Sequence, residues 1–295
     1  MSFYLQAILL GLGLSALSMG IFISMKIFNI PDITTDGSYT LGAVVTALTL
    51  SHHLPLIFVF LLSFLGSAMA GAITGYISTY LRVNPLLAGI LVMTALYSIN
   101  LSLMGRSNIP LINVKTVFNF WSPNQENPGL ELFTFGFIIL VIAVLIILLL
   151  KTDFGIAMRA TGNSETMVRS MGVNTSRMKI LGLALANGLI GISGFLVAQY
   201  QGFADINMGI GIVITGLGSV VMSDSLWNLF PTPPIEWQVF GVILGAILFQ
   251  LILGLALSLG VDPNMLKLIT ALLVLMVVSL PVIKLNFYGS NRRGK

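Results

Sequence analysis

Seven apolar runs of membrane-spanning length dominate the chain, at 6–27, 55–80, 84–104, 132–150, 179–199, 238–259 and 264–284. At about 1.5 Å of rise per residue, a helix of that length crosses roughly 30 Å of hydrocarbon. Two further runs, 37–51 and 207–222, are too short to cross as helices alone. Both are glycine-rich, with Gly37 and Gly42 in the first and Gly209, Gly211, Gly216 and Gly218 in the second. Each follows a polar stretch, PDITTD and QGFADIN respectively. The pattern predicts two half-helices completed by extended chain. Such backbone is tolerated at membrane depth only inside protein or beside a wet cavity. The expected fold is an all-α polytopic membrane protein of about eight to ten transmembrane helices with two short half-helices.

The runs repeat in order. LGLGLSALSMG at 10–20 pairs with LGLALANGLIG at 181–191, and FNIPDI at 28–33 with FADI at 203–206. VNPLLAGILVMTAL at 83–96 pairs with VDPNMLKLITALLV at 261–274. Asp32 thereby stands opposite Asp205, each just before a short run. With every run crossing, the halves point in opposite directions, an inverted repeat of the kind found in transporters. The expected organisation is one transmembrane domain. It has repeat 1 at about 6–104, an external segment at 105–131, a connector helix at 132–150, a cytoplasmic loop at 151–179, repeat 2 at about 179–284 and a cytoplasmic tail at 285–295.

Charge fixes the orientation. Only 8% of the 295 residues are charged, so most of the surface must face lipid. Of fourteen Lys and Arg, five lie within 151–179. Lys26, Arg82, Lys284, Arg292, Arg293 and Lys295 fall on the same side of the bundle, which the positive-inside rule makes cytoplasmic. Arg106, Lys115 and Lys267 fall elsewhere. The basic balance is thus explained by topology, and nucleic acid is not an expected partner. There is no cysteine, and there are only two histidines. Disulfides, thiolate chemistry and a three-histidine zinc site are excluded. No GxxxxGK[ST] motif occurs, so the chain is not itself an ATPase of that class. No catalytic residue, metal site or bound cofactor is expected.

Ionisable groups at membrane depth are costly and face a cavity or a partner. Asp32, Asp36, Asp205 and Lys267 are the candidates. Asp32 and Asp205 either cap the half-helices that follow them or line a pathway entrance, and the two roles are compatible. Thr34, Thr35, Ser38, Tyr39, Asn84, Tyr97, Asn100, Asn187, Gln199 and Asn207 offer hydrogen bonds, to neighbouring helices or to a solute. A candidate translocation pathway accordingly comprises Asp32, Thr35, Asp36, Ser38, Tyr39, Tyr97, Asn100, Asp205 and Asn207. The external segment, with Phe118, Phe120 and Trp121, reads equally as an interfacial aromatic element or as a docking surface for an extracytoplasmic protein. The loop 223–237, with three prolines and two tryptophans, reads as a rigid interfacial connection.

Within 151–179, SETMVRSMGV predicts a short helix outside the bilayer, capped by Ser164 and stopped at Gly172. Glu165 and Arg169 are i,i+4 neighbours on it. It is either an amphipathic helix held on anionic lipid or a docking helix for a cytoplasmic motor.

The run GIAMRATGNSETMVRSMGVNTSRMKILGLALANGLIGISGFLVAQYQGF resembles the coupling segment of bacterial ABC-importer permeases of the branched-chain amino acid and ribose type. NIPDITTDGSYTLGA and RVNPLLAGILVMTALYSINLSLMG resemble other stretches of that family, and the likeness covers essentially the whole chain. It extends to permeases assigned to tryptophan, tyrosine or other small solutes. The resemblance implies a multi-pass subunit of the bacterial cell membrane that forms the pathway for a small, amino-acid-like solute, with aromatic solutes among the candidates. It implies a second permease subunit, identical or not, two ATPase subunits that carry ATP and Mg, and an extracytoplasmic binding protein or lipoprotein. It makes 161–172 the coupling helix, with Thr161, Gly162, Asn163, Ser164, Glu165, Arg169 and Gly172 as its coupling residues. A secondary transporter or channel working without a motor is the alternative, because inverted repeats and broken helices suit it as well.

Overall fold

The computed structural model describes residues 3–112, 114–118, 128–227, 233–262 and 265–290. Its first helix, α1 (Phe3–Ile21), runs on into a π-helical turn at Phe22–Ile27. Then come α2 (Thr34–Ser51), α3 (Leu56–Tyr80) and α4 (Pro85–Met104). A three-residue strand β1 (Asn108–Pro110) precedes the connector α5 (Pro128–Lys151). Two short helices, α6 (Asp153–Asn163) and α7 (Glu165–Ser170), lead to α8 (Thr175–Gln201). Strand β2 (Phe203–Asp205), α9 (Ile212–Trp227), α10 (Ile235–Ser258) and α11 (Leu266–Ser290) complete the chain.

The helix ends follow from local chemistry. Asn84 caps α4 by accepting from the Leu86 amide at 2.9 Å, and Pro85 sits where its missing N–H costs nothing. Asn174 caps α8 through the Arg177 amide at 3.0 Å, and that helix stops at Gly202 with φ +76°.

Six helices among the described residues are long and apolar enough to cross a membrane: α1 with its π-turn, α3, α4, α5, α8 and α10. Two of them form the centre. In α1, 83% of the apolar stretch is buried, and in α8 78%, against 28% in α3 and in α4. The outer helices keep Leu, Ile and Phe exposed, as a lipid-facing surface requires. Small residues bring backbones together at the centre. A side chain on Gly42 of α2 would run into the Gly191 carbonyl of α8, and one on Gly71 of α3 into the Leu183 carbonyl.

Element order is the same on either side of α5: a long helix, a break, a shorter helix and two more helices. Packing is reciprocal as well. α3 lies along α8 while α10 lies along α1, and α2 packs on α3 and α4 as α9 packs on α10 and α11.

One end of the bundle collects the basic residues. Lys26 pairs with Asp224 of α9, and Lys151 at the end of α5 pairs with Glu236 at the start of α10. The end of α3 and the start of α8 border one hollow there. β1 and β2 pair antiparallel, Ile109 opposite Ala204, after α4 and α8 have each run about 30–40 Å away from that end. α1 therefore runs toward the basic end and α8 away from it. Phe118 packs inward on Phe135 and Tyr200 and forms no outward belt. Phe120 and Trp121, 228–232 of the proline-rich loop, and Arg292, Arg293 and Lys295 lie outside the described residues.

The short runs differ in extent from expectation. The first helix begins at Thr34 and includes the polar TTD, because Asp32 Oδ1 accepts the Thr34 amide at 2.9 Å and satisfies a donor the first turn would otherwise orphan. Its 18 residues reach about 27 Å. The second starts only at Ile212, five residues late. Asp205 Oδ1 takes the Asn207 amide at 2.8 Å, and Gly211 is left-handed at φ +81°, so 207–211 is spent in turns.

Candidate functional site

Two regions gather the candidate residues. The first is the polar turn system between α5 and α8. Thr152 caps α6 through the Gly155 amide, and Ser164 caps α7 through the Met167 amide at 3.4 Å. Gly172, at φ +84°, follows the last turn of α7. The stretch 161–172 is not one helix. Thr161, Gly162 and Asn163 close α6, and extended backbone at Ser164 (φ −155°, ψ 96°) separates them from α7. A serine whose side chain caps the next helix cannot also continue the previous one.

Glu165 holds the system together. One carboxylate oxygen accepts from Arg169 at 2.9 Å and from the Thr175 hydroxyl at 3.1 Å, and the other accepts from Lys179 at 2.5 Å. The Lys179 ammonium beside it is the largest influence holding the Glu165 carboxyl below its ordinary value of 4.5, with Thr175 and Arg169 adding to it. Val168 is buried against the bundle, whereas Met167 and Met171 are 60% and 71% exposed. α7 therefore has a fixed base and an apolar, flexible-chained tip. On α6, a side chain at Gly162 would run into the Ile27 carbonyl, and Asn29 Nδ2 donates to the Gly162 carbonyl at 3.2 Å. The loop touches the end of α1 backbone to backbone. The sequence singled out Arg169 as the partner of Glu165. It missed Thr175 and Lys179, whose approach requires the fold of the turn.

The second region lies where the two shorter helices meet. Asp36, in the first turn of α2 and 6% exposed, accepts the Gly211 amide at 2.8 Å and the Val213 amide at 3.0 Å. These are N-terminal donors of α9, so a carboxylate from the first half caps and complements the dipole of a helix in the second. Asp205 does not cap α9, contrary to expectation, because its own Asx turn and the weak Asn108 amide contact at 3.4 Å occupy it at the ribbon. Asp32 does cap the helix after it, and its other oxygen accepts from Asn187 of α8 at 2.6 Å.

Asp36, Thr40, Tyr97, Asn100 and Gly209 line a narrow cleft of about 20 Å³. That is room for about one water molecule, not for an organic solute. Asn100, 1% exposed, donates to the Gly37 carbonyl at 3.4 Å and has no partner for its oxygen among the described residues, and Tyr97 is 45% exposed at the rim. The remaining pathway candidates stand apart from the cleft. Thr35 donates to the Asp32 carbonyl, Ser38 and Tyr39 are enclosed in helix packing, and Asn207 is exposed beside Asp205. Gln199 is committed to structure, accepting from the Val117 amide at 2.9 Å.

Comparison with known proteins agrees with this architecture. Residues 3–279 match the family described as branched-chain amino acid transport system / permease component. A tyrosine transport system permease protein of Clostridioides difficile (strain R20291) is 36% identical over 280 residues, covering 95% of this chain and 92% of that protein. The galactofuranose transporter permease protein YtfT of Escherichia coli (strain K12) is 28% identical over 246 residues, covering 80% and 67% of the two chains. Among solved structures, PsaBC from Streptococcus pneumoniae in complex with Fab has the same fold, with a TM-score of 0.53 at 14% identity over 94% of this chain and 91% of that one. The chain belongs to the branched-chain amino acid permease family of ABC importers and is a multi-pass protein of the bacterial plasma membrane.

Proposed function

We propose that the chain is the membrane subunit of an ABC importer for a small, amino-acid-like solute, driven through residues 161–172 by ATPase subunits that hold the ATP and Mg. The observation that carries the coupling role is α7 itself: a base fixed by Glu165 and Val168, a tip of exposed Met167 and Met171, and an adjoining backbone contact from Gly162 to the end of α1. Exposed methionines on a rigid helix suit a groove in a second protein.

The reciprocal packing of the halves supports reading 6–104 and 179–284 as an inverted repeat, with the pathway beside the interface between them. The cleft is too small to conduct, so the full pathway forms with a second permease subunit, and Asp36, Tyr97 and Asn100 mark the part this chain contributes. An extracytoplasmic binding protein delivers the solute at the β1–β2 end. An aromatic amino acid is the favoured solute class because the relative matched along 95% of this chain is named for tyrosine transport.

The test is M167E/M171E, which changes the tip and leaves the Glu165 network in place. Solute-stimulated ATP hydrolysis by the assembled transporter is expected to fall at least tenfold with the melting temperature unchanged. Deletion of 162–170 should abolish it. Transport that survives the deletion would overturn the coupling role.

A further inference from the structure

A hollow of about 810 Å³ opens at the basic end between the end of α3 and the turn from α7 into α8. Three cationic side chains border it, Arg82, Arg169 and Lys179, with a single carboxylate, Glu165. That carboxylate is already engaged by Arg169 and Lys179. Arg82 makes no ion pair among the described residues. Its backbone is left-handed, φ +55°, a conformation that costs a non-glycine residue energy, and it holds the guanidinium at the end of the apolar α3. Ser176 adds a hydroxyl to the rim, while the Ser78 hydroxyl beside it donates to the Gly75 carbonyl at 3.1 Å.

The wall leading to this hollow is a membrane surface. Tyr80, Tyr76, Ile73 and Met69 are exposed and follow one another down one face of α3 at helical spacing. The Tyr76 and Tyr80 rings meet at a tilt of 37° with centroids 5.1 Å apart, and tyrosine is a residue type enriched at headgroup level. An acyl chain on the Met69–Ile73 face therefore puts its phosphate beside Arg82.

We propose that this hollow binds the headgroup of an anionic phospholipid, with the phosphate on Arg82 and the chains along α3. The bound lipid bridges α3 to the segment containing α7. This assignment depends on the chain lying in a membrane and not on its being driven by ATP.

The experiment is native mass spectrometry of the full chain exchanged into equal amounts of phosphatidylglycerol and phosphatidylcholine. The expected result is preferential retention of phosphatidylglycerol. Removing Arg82 should lower the preference about fivefold, the weight of one basic side chain at a membrane surface. R82Q tests the charge. R82G removes the charge and relieves the left-handed strain, so a folded variant is assured a second route. R106Q, at the opposite end of the bundle, should leave the preference intact. Equal retention of the two lipids by the unaltered chain would overturn the proposal, as would full preference in folded R82Q or R82G. Displacement of phosphatidylglycerol by millimolar inorganic phosphate would assign the site to free anions. Loss of the co-purifying ATPase subunit in R82G with lipid preference unchanged would assign it to a protein acid. Either result would overturn the lipid reading.

Discussion

Asp36 links parts of the chain 175 residues apart with two hydrogen bonds, and among the described residues neither amide has another acceptor. Leaving a buried donor unsatisfied costs about 1–3 kcal/mol. D36A is therefore expected to destabilise the bundle by about 2 kcal/mol or more. D36N, which keeps one good acceptor, should fall between D36A and the parent. Hydrogen exchange at Gly211 and Val213 reads the effect directly, and unchanged protection in D36A would show that other groups hold the start of α9. The sequence made Asp36 conspicuous as a carboxylate within an apolar run. It gave no sign of the partner, since the Gly211 turn is set by tertiary contact and not by spacing. The reverse error occurred at Asp205, where position in the repeat suggested a cap that the local Asx turn precludes.

At the scale of elements, α7 is held to α8 mainly by charge. The Glu165 carboxyl is held below its ordinary value, so the contribution is complete above about pH 4.5 and disappears as pH falls below that value. A spin label at M167C, in a chain with no native cysteine, should show unchanged mobility from pH 8 to pH 6 and higher mobility below about 4.5. E165Q should show the mobile signal already at pH 7. Equal mobility across the whole range would mean that Val168 packing alone positions the helix. The Ser164 cap and the Gly172 stop were legible from residue type. The break between α6 and α7 was not, because a serine inside a helical pattern leaves open whether its hydroxyl serves the helix before or the one after.

Across the whole molecule, the long helices were legible within a few residues because lipid imposes both length and apolarity on them. What the sequence concealed was the pairing of segments. The external stretch after α4 looked like a surface element for membrane or partner, and its first part instead forms a ribbon with the residues after α8. Pairing of three-residue strands leaves almost no mark in composition. The register puts Ile109 opposite Ala204, so I109C/A204C should form a disulfide spontaneously, detected as loss of both thiols to labelling. The bridge closes a long loop and should add about 2 kcal/mol to stability. Free thiols in the folded double variant would contradict the register.

The meeting of Gly162 with Ile27 and Phe28 has a mechanical consequence. No side chain lies between those backbones to bend, rotate or repack, and Asn29 ties them together from the side. A cushioned contact absorbs a small displacement. A bare one passes it on. Whatever pulls on α6 therefore also pulls on 27–29, and through them on the non-helical segment that leads to Asp32 and the start of α2. The stiffness of a single glycine contact thus fixes how little travel is lost between the basic rim and the interior of the bundle.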